Sequence, residues 1–266
     1  MNTKVGFIGA GNMAGAIISG ILSREDHPQL YAFDIDKSKC ERFGRSVNYC
    51  PSLEELVTAC DYLFFAIKPQ VIDSVLDQLQ HAHVNWTGKT IITMVAGIST
   101  TYIAHKLNGS IAIVRIMPNT PVMLGHGATT VCANEQTSPT QLEFVKSLLS
   151  DASHLRDIPE RQMNASISIN GSSPAYLFLF AKSVVDYAKK QGIDDLCALE
   201  LFAHTMIGSA KMLLESNMDP EALIRMVTSP GGTTLEALKV FENYQFDKII
   251  FDAMAACTKR ADELGR

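Results

Sequence analysis

Apolar residues in the first 160 positions come in short unbroken runs, not in alternation with polar ones. Runs at 5–8, 30–33, 62–67, 90–95 and 111–116 have the length of strands buried on both faces. Amphipathic stretches at 12–22, 52–59, 71–79 and 99–107 separate them and read as helices. Fully buried strands spaced by helices predict an α/β fold with a doubly wound, mainly parallel sheet. A strand over 128–132, a helix over 139–149 and a short strand over 153–156 complete it. Beyond about residue 160 the strand signals stop. Helical patterns follow at 176–190, 196–215, 220–227, 234–241 and 246–263, punctuated by Gly and Pro. The run Ala175-Tyr176-Leu177-Phe178-Leu179-Phe180-Ala181 is apolar on every side. A helix of that kind belongs inside a bundle or between subunits, so the second half is expected to be all-helical and to dimerise.

The first strand runs directly into Gly9-Ala10-Gly11-Asn12-Met13-Ala14, a G-x-G-x-x-A turn opening a helix. That context makes it a dinucleotide-binding Rossmann turn. Gly9 allows the tight turn, Gly11 lets backbone approach a pyrophosphate, and Ala14 lets helix and strand pack closely. The N–H groups at the helix start, from Gly11 through Met13, then face the phosphate charge. Ile8 ends the strand beneath them. Asp34 closes the second strand 20 residues past Ala14, where a carboxylate can bond the adenosine ribose and repel a 2′-phosphate. Lys37 and Lys39 follow closely and pull the other way, so both NADH and NADPH stay open as cofactor. Ligands of open parallel sheets bind beyond the carboxyl ends of the strands. Ala66, Lys68 and Pro69, with Ala96 and Gly97, occupy those ends and should border the nicotinamide half.

A second loop, Thr228-Ser229-Pro230-Gly231-Gly232-Thr233-Thr234, combines paired glycines and hydroxyls just ahead of a helix. One Ser or Thr suffices for capping. The additional glycines suggest successive inward-pointing amides that would hold a small carboxylate. The block Asn170-Gly171-Ser172-Ser173-Pro174-Ala175-Tyr176 interrupts an otherwise helical stretch and reads as a loop, either a hinge or room for a ligand. Gly and Pro within a helix cost roughly 1 and 3 kcal/mol.

Composition narrows the chemistry. The net charge is −5 over 266 residues with no basic stripe, which argues against nucleic acid. The six cysteines form no CxxC pair, and the seven histidines show no ligand pairing beyond His81 and His83, which read as solvated at a helix end. No metal site and no GxSxG nucleophile elbow is expected, which leaves the chemistry to a cofactor. The glycine-punctuated N-terminus does not read as a signal or a span, and no other run nears the roughly 18 unbroken apolar residues of a membrane helix. A cytoplasmic protein with no membrane partner is the expectation.

Seven blocks together resemble the pyrroline-5-carboxylate reductase family. They are GFIGAGNMA at 6–14, AIKPQ at 66–70, VAGIS at 95–99, RIMPNTP at 115–121, NGSSPAY at 170–176, GSAKMLLES at 208–216 and TSPGGTTLEAL at 228–238. The resemblance spans the chain and implies a dinucleotide-binding domain over 1–158 and a helical dimerisation and substrate-binding domain over 159–266. It implies NADPH or NADH lying over Gly9 to Met13, and 1-pyrroline-5-carboxylate reduced to L-proline. The substrate carboxylate would sit on Ser229, Gly231, Gly232, Thr233 and Thr234, with Thr234 bonding the ring nitrogen as the catalytic residue and Glu160 near the ligand. It further implies a homodimer, alone or in an assembly of dimers, with each active site combining the cofactor domain of one subunit and the helical domain of the other. Three features depart from the family pattern: Asn170 in place of the usual Ser, Ser166-Ile167-Ser168, and Asp34. A β-hydroxyacid dehydrogenase is the competing enzyme reading, with Lys182 as its catalytic lysine. Asp186 stands where that class needs an Asn. A non-catalytic cofactor sensor would have no use for the 229–234 loop.

Overall fold

The computed structural model describes residues 3–265. In chain order the elements of the first half are β1 (Lys4–Ile8), α1 (Asn12–Leu22), β2 (Gln29–Phe33), α2 (Ser38–Glu41), β3 (Val47–Tyr49), α3 (Leu53–Ala59) and β4 (Tyr62–Phe65). Then come α4 (Ile72–His81), β5 (Thr90–Thr93), α5 (Thr100–Lys106), β6 (Ala112–Met117), β7 (Gly127–Ala133), α6 (Pro139–Leu149) and β8 (Ser153–Asp157). The remainder is α7 (Met163–Ser166), α8 (Ser173–Lys190), α9 (Asp195–Glu215), α10 (Pro220–Met226), α11 (Thr233–Asn243) and α12 (Phe246–Leu264).

The strands form one eight-stranded sheet in the order β3-β2-β1-β4-β5-β6-β7-β8. Only β6 and β7 run antiparallel; the other neighbours are parallel. Strand order reverses between β1 and β4, the switch point at which such sheets bind ligands. Alternate residues of a strand feed opposite layers. Phe7 and Phe64 stack at 4.5 Å in the layer shared with Ile17, Ile18 and Val145 of α1 and α6. Ile8, Leu63 and Phe65 join Leu56, Leu76 and Ile103 of α3, α4 and α5 on the other side. Burial on both faces is why these strands read as continuous apolar runs.

The differences from the sequence reading have local causes. β3 escapes the pattern because only Val47 of its three residues is buried. The apolar runs at 62–67 and 90–95 outlast their strands by two residues, since Ala66, Ile67, Met94 and Val95 continue into packed turns. The block at 170–176 is not a loop. Ile167–Gly171 forms a π-helical turn that passes directly into α8. The wider turn absorbs the extra residue. Pro174 falls in the first turn of α8, where a missing N–H costs nothing because no carbonyl of that helix would accept it.

The chain separates into two compact units: Met1–Pro174 together with Ala256–Arg266, and Ala175–Ala255. In the second unit Leu177, Phe178 and Leu179 are 53%, 66% and 66% exposed in the single chain, as the all-round apolar pattern of α8 foreshadowed. Among the described residues one helix, α9, is long and apolar enough to cross a bilayer by length and composition. Its apolar run is not unbroken, because Glu200, His204 and Lys211 interrupt it.

Candidate active site

Five helices begin on a side-chain cap. Ser52, Ser99, Ser138, Asp194 and Asp219 each accept an N–H from the first turn of α3, α5, α6, α9 and α10. The two helices that start at a glycine, α1 at Gly11 and α11 at Gly232, have no side-chain cap. Their first-turn amides therefore stay open to an anion. These are the two places that the sequence marks for phosphate and carboxylate.

The first is built around Gly9. Its φ of +93° is the left-handed region, and a Cβ there would lie 2.6 Å from the Ala66 carbonyl oxygen. The absent side chain lets the β1 turn lie against the end of β4 at the switch point. Gly11 has nothing within 4 Å of a would-be Cβ, so the space above the helix start is open. This open cradle with uncapped amides fits a pyrophosphate. Two charged side chains hold the turn from beneath. Asp34 accepts the Ala10 N–H at 2.9 Å and the Asp36 N–H at 2.9 Å, with Lys39 Nζ at 3.3 Å. Arg42 donates to the Ala10 and Gly11 carbonyls at 2.9 and 3.0 Å. Burial alone would raise the Asp34 carboxyl. The N–H bonds from Ala10 and Asp36, with Lys39, outweigh that and hold its pKa below the ordinary value. Arg42 went unnoticed in the sequence. Ile8 and Ala10 are buried beneath the turn, Asn12 is exposed at its rim and Met13 packs on the α1 layer.

At the carboxyl end of β4, Lys68 is exposed, and no carboxylate pairs with it among the described residues. It precedes a 3-10 turn opened by Pro69. Ala96 and Gly97 follow β5. Gly97, expected to border the nicotinamide, has a packing reason to lack a side chain. Its φ is +80°, and a Cβ would lie 2.6 Å from the Ala261 carbonyl oxygen and 2.8 Å from the Gly265 nitrogen. The end of α12 packs on its backbone.

Glu160 is also committed to protein. Its two oxygens accept the Thr100 N–H at 2.7 Å and the Thr100 hydroxyl at 2.6 Å, and Arg115 Nη1 stands 3.6 Å away. Arg115 lies in the RIMPNTP block, with a side chain only 3% exposed. Its Nη2 donates to Asn164 Oδ1 at 2.6 Å, and Asn164 Nδ2 donates to Asp262 Oδ1 at 2.8 Å. Burial pushes the guanidinium pKa down, and the Glu160 carboxylate opposes the shift. A lone Arg in an apolar strand was the available signal for this network. Asn170, the departure from the family's Ser, donates to the Met117 and Ala128 carbonyls at 2.7 and 2.8 Å, tying the π-helical turn to β6 and β7.

The second glycine start lies in the second unit. Ser229, Pro230, Gly231 and Gly232 form a turn closed by Gly232 N–H to the Ser229 carbonyl at 3.0 Å, with Gly231 at φ +72°. Pro followed by a left-handed Gly is the type II pattern. A Cβ on Gly232 would collide with Ser229 Oγ at 2.5 Å. Thr233 and Thr234 are the first two residues of α11, one position earlier than the sequence pattern suggested. Lys182, the lysine of the competing dehydrogenase reading, pairs with Asp186 at 2.6 Å on the exposed face of α8. Cys60 and Cys132 are buried thiols pushed up to about 12 by that burial, which makes them poor nucleophiles.

A doubly wound sheet with a glycine turn at its switch point, followed by a helical half, defines a two-domain Rossmann oxidoreductase. Residues 160–264 match the family model for pyrroline-5-carboxylate reductase dimerisation, and residues 4–97 match that for NADP oxidoreductase, coenzyme F420-dependent. The chain is 32% identical over 272 residues to pyrroline-5-carboxylate reductase of Escherichia coli K12, covering 100% of both chains. It is 35% identical to that of Haemophilus influenzae, over 98% of this chain and 97% of the relative. The crystal structure of Plasmodium falciparum pyrroline carboxylate reductase with NADP bound is similar at a TM-score of 0.90 and 27% identity, covering 100% of this chain and 99% of that one. The chain belongs to the pyrroline-5-carboxylate reductase family.

Proposed function

We propose that the protein reduces 1-pyrroline-5-carboxylate to L-proline with NADPH or NADH. The observation that carries this reading is that the two glycine-started, uncapped helices stand where the resemblance puts the cofactor phosphates and the substrate carboxylate. Gly9, Ala10, Gly11, Asn12 and Met13 hold the pyrophosphate, with Ile8 beneath them and Asp34 at the adenosine side. Ala66, Lys68, Pro69, Ala96 and Gly97 border the nicotinamide. Ser229, Gly231, Gly232, Thr233 and Thr234 receive the carboxylate, and Glu160 supports the ligand from the protein side. Division into a cofactor portion, 1–158, and a dimerising, substrate-binding portion, 159–266, follows the segment matched from residue 160.

When bound, the nicotinamide supplies the hydride. The chain's task is to hold the imine carbon against it and to meet one proton at nitrogen. An imine is basic enough to be protonated readily, so no strong general acid is needed. The open amides at Thr233 and Thr234 grip the carboxylate and so fix the ring, and orientation of this kind contributes several kcal/mol to a rate. The Thr234 hydroxyl orients the ring nitrogen. The second half dimerises, which covers the apolar side chains of α8 and α9. The six cysteines are free thiols, which suits the reducing cytoplasm.

Steady-state oxidation of NADH and of NADPH with 1-pyrroline-5-carboxylate tests the proposal, with a 3-hydroxy acid and the oxidised cofactors as the comparison. Imine-dependent oxidation is the expected result. Turnover of the hydroxy acid alone would transfer the protein to the competing dehydrogenase class.

A further inference from the structure

The loop between β5 and α5 is held from two directions by a closed circuit of contacts. On one side Thr100 gives its N–H and hydroxyl to Glu160, and Glu160 lies beside Arg115. Arg115 passes to Asn164, and Asn164 to Asp262 in the last turns of α12. On the other side those same turns return to the loop. Gly97 rests on the Ala261 carbonyl and the Gly265 nitrogen, and a Cβ on Gly265 would lie 2.9 Å from the Gly97 carbonyl oxygen. Arg115 stands in the middle of the circuit.

Stability alone does not account for an arginine there. A buried charge loses its hydration, and well-packed apolar residues of similar volume are often as stable or more so. Nε of Arg115 is buried without a hydrogen-bond partner, so the residue is not even fully satisfied. What the guanidinium supplies is a rigid planar fork, which bonds Asn164 while setting a second nitrogen beside the Glu160 carboxylate at a fixed angle; a lysine ammonium does not. Glu160 leads to Thr100, just past the loop, and Asn164 leads through Asp262 to the α12 turns that lie on Gly97 within it.

We propose that Arg115 is a positioning residue for hydride transfer, fixing Ala96 and Gly97 through Glu160 on one side and through Asn164 and the end of α12 on the other. The inference rests on the reading that this loop borders the nicotinamide. Misplacement of reacting groups by about 1 Å can lower a rate on the order of 100-fold with little effect on binding.

The test is Arg115→Lys, which keeps the charge and loses the fork, with Asn164→Ala as a second variant that keeps the guanidinium and its ion pair. Amide hydrogen exchange over residues 96–100, measured without cofactor, is expected to speed up in both variants. With cofactor and imine, kcat should fall by about 10- to 100-fold for Arg115→Lys, while the imine KM and the cofactor Kd change less than about threefold. The deuterium isotope effect from C4-labelled cofactor should rise as hydride transfer becomes slower than the other steps. Unchanged exchange with reduced kcat would overturn the route through the loop. Faster exchange with unchanged kcat and isotope effect would overturn the positioning role. If Arg115→Lys does not fold, the Asn164→Ala result decides by the same criteria. Wild-type protein that fails to reduce the imine sinks the substrate reading instead, and the exchange data still decide whether Arg115 holds the loop.

Discussion

Replacing Asp34 with Asn changes almost no volume but removes one acceptor from beneath the glycine turn. The carboxylate serves the Ala10 and Asp36 N–H groups with separate oxygens. An amide offers one oxygen and one NH2, so one of those N–H groups then faces a donor. A buried N–H left without an acceptor costs about 1–3 kcal/mol. Taking about 2 kcal/mol, a chain of this size loses about 4–8 °C in Tm. The pH dependence has a definite sign. The folded-state pKa of Asp34 lies below its unfolded value, so its contribution is fully present above the ordinary carboxylate range and disappears as pH falls through the folded value. Melting curves of wild type and Asp34→Asn should thus differ fully above about pH 6, with the gap narrowing only as pH falls below about 4. Circular dichroism at one matched protein concentration checks this, because Tm of a dimer depends on concentration. Identical Tm values at pH 7, or a gap that persists undiminished to low pH, would refute the clamp.

On the proposed placement of Asp34 at the adenosine side, the same variant removes a negative charge facing a 2′-phosphate, so the ratio of NADPH to NADH efficiency should rise; an unchanged ratio would show that Asp34 plays no part in choosing the cofactor. Gly9→Ala puts a side chain at positive φ and 2.6 Å from the Ala66 carbonyl oxygen, and cofactor affinity measured by fluorescence should fall by at least tenfold. Thr234→Ala should lower kcat with cofactor Kd unchanged, and Gly231→Val, strained at φ +72°, should raise the imine KM steeply. Steady-state kinetics with cofactor titration separates these outcomes, and wild-type values in either variant would remove the 229–234 turn from the substrate site.

The class of fold was legible because burial on both faces leaves a one-dimensional trace. β1, β4, β5 and β6 are apolar runs for that reason, and glycine turns mark where helices start without caps. The apolar ring of α8 likewise pointed to a face that a single chain does not cover. β3 left no trace because two of its three residues face solvent. The 170–176 block reads as a break because Gly and Pro ordinarily end a helix, and only the folded chain places Gly171 in a π-helical turn and Pro174 in the first turn of α8.

Local chemistry was readable; partnership between distant residues was not. The sequence alone marked Gly9 and Gly11, and again Gly231 and Gly232, as glycines of helix-opening turns, since both follow from backbone freedom within a few residues. It could not show that Arg42 reaches back 31 positions to the Gly11 carbonyl, or that Asp34 answers the Ala10 amide across two strands. Nor could it show that Gly97 is small because the chain's last turns lie on it, or that Arg115 joins Glu160 to Asn164. Those choices belong to the tertiary structure, because hydrogen bonds and close backbone contacts depend on distances that only the folded sheet brings within reach.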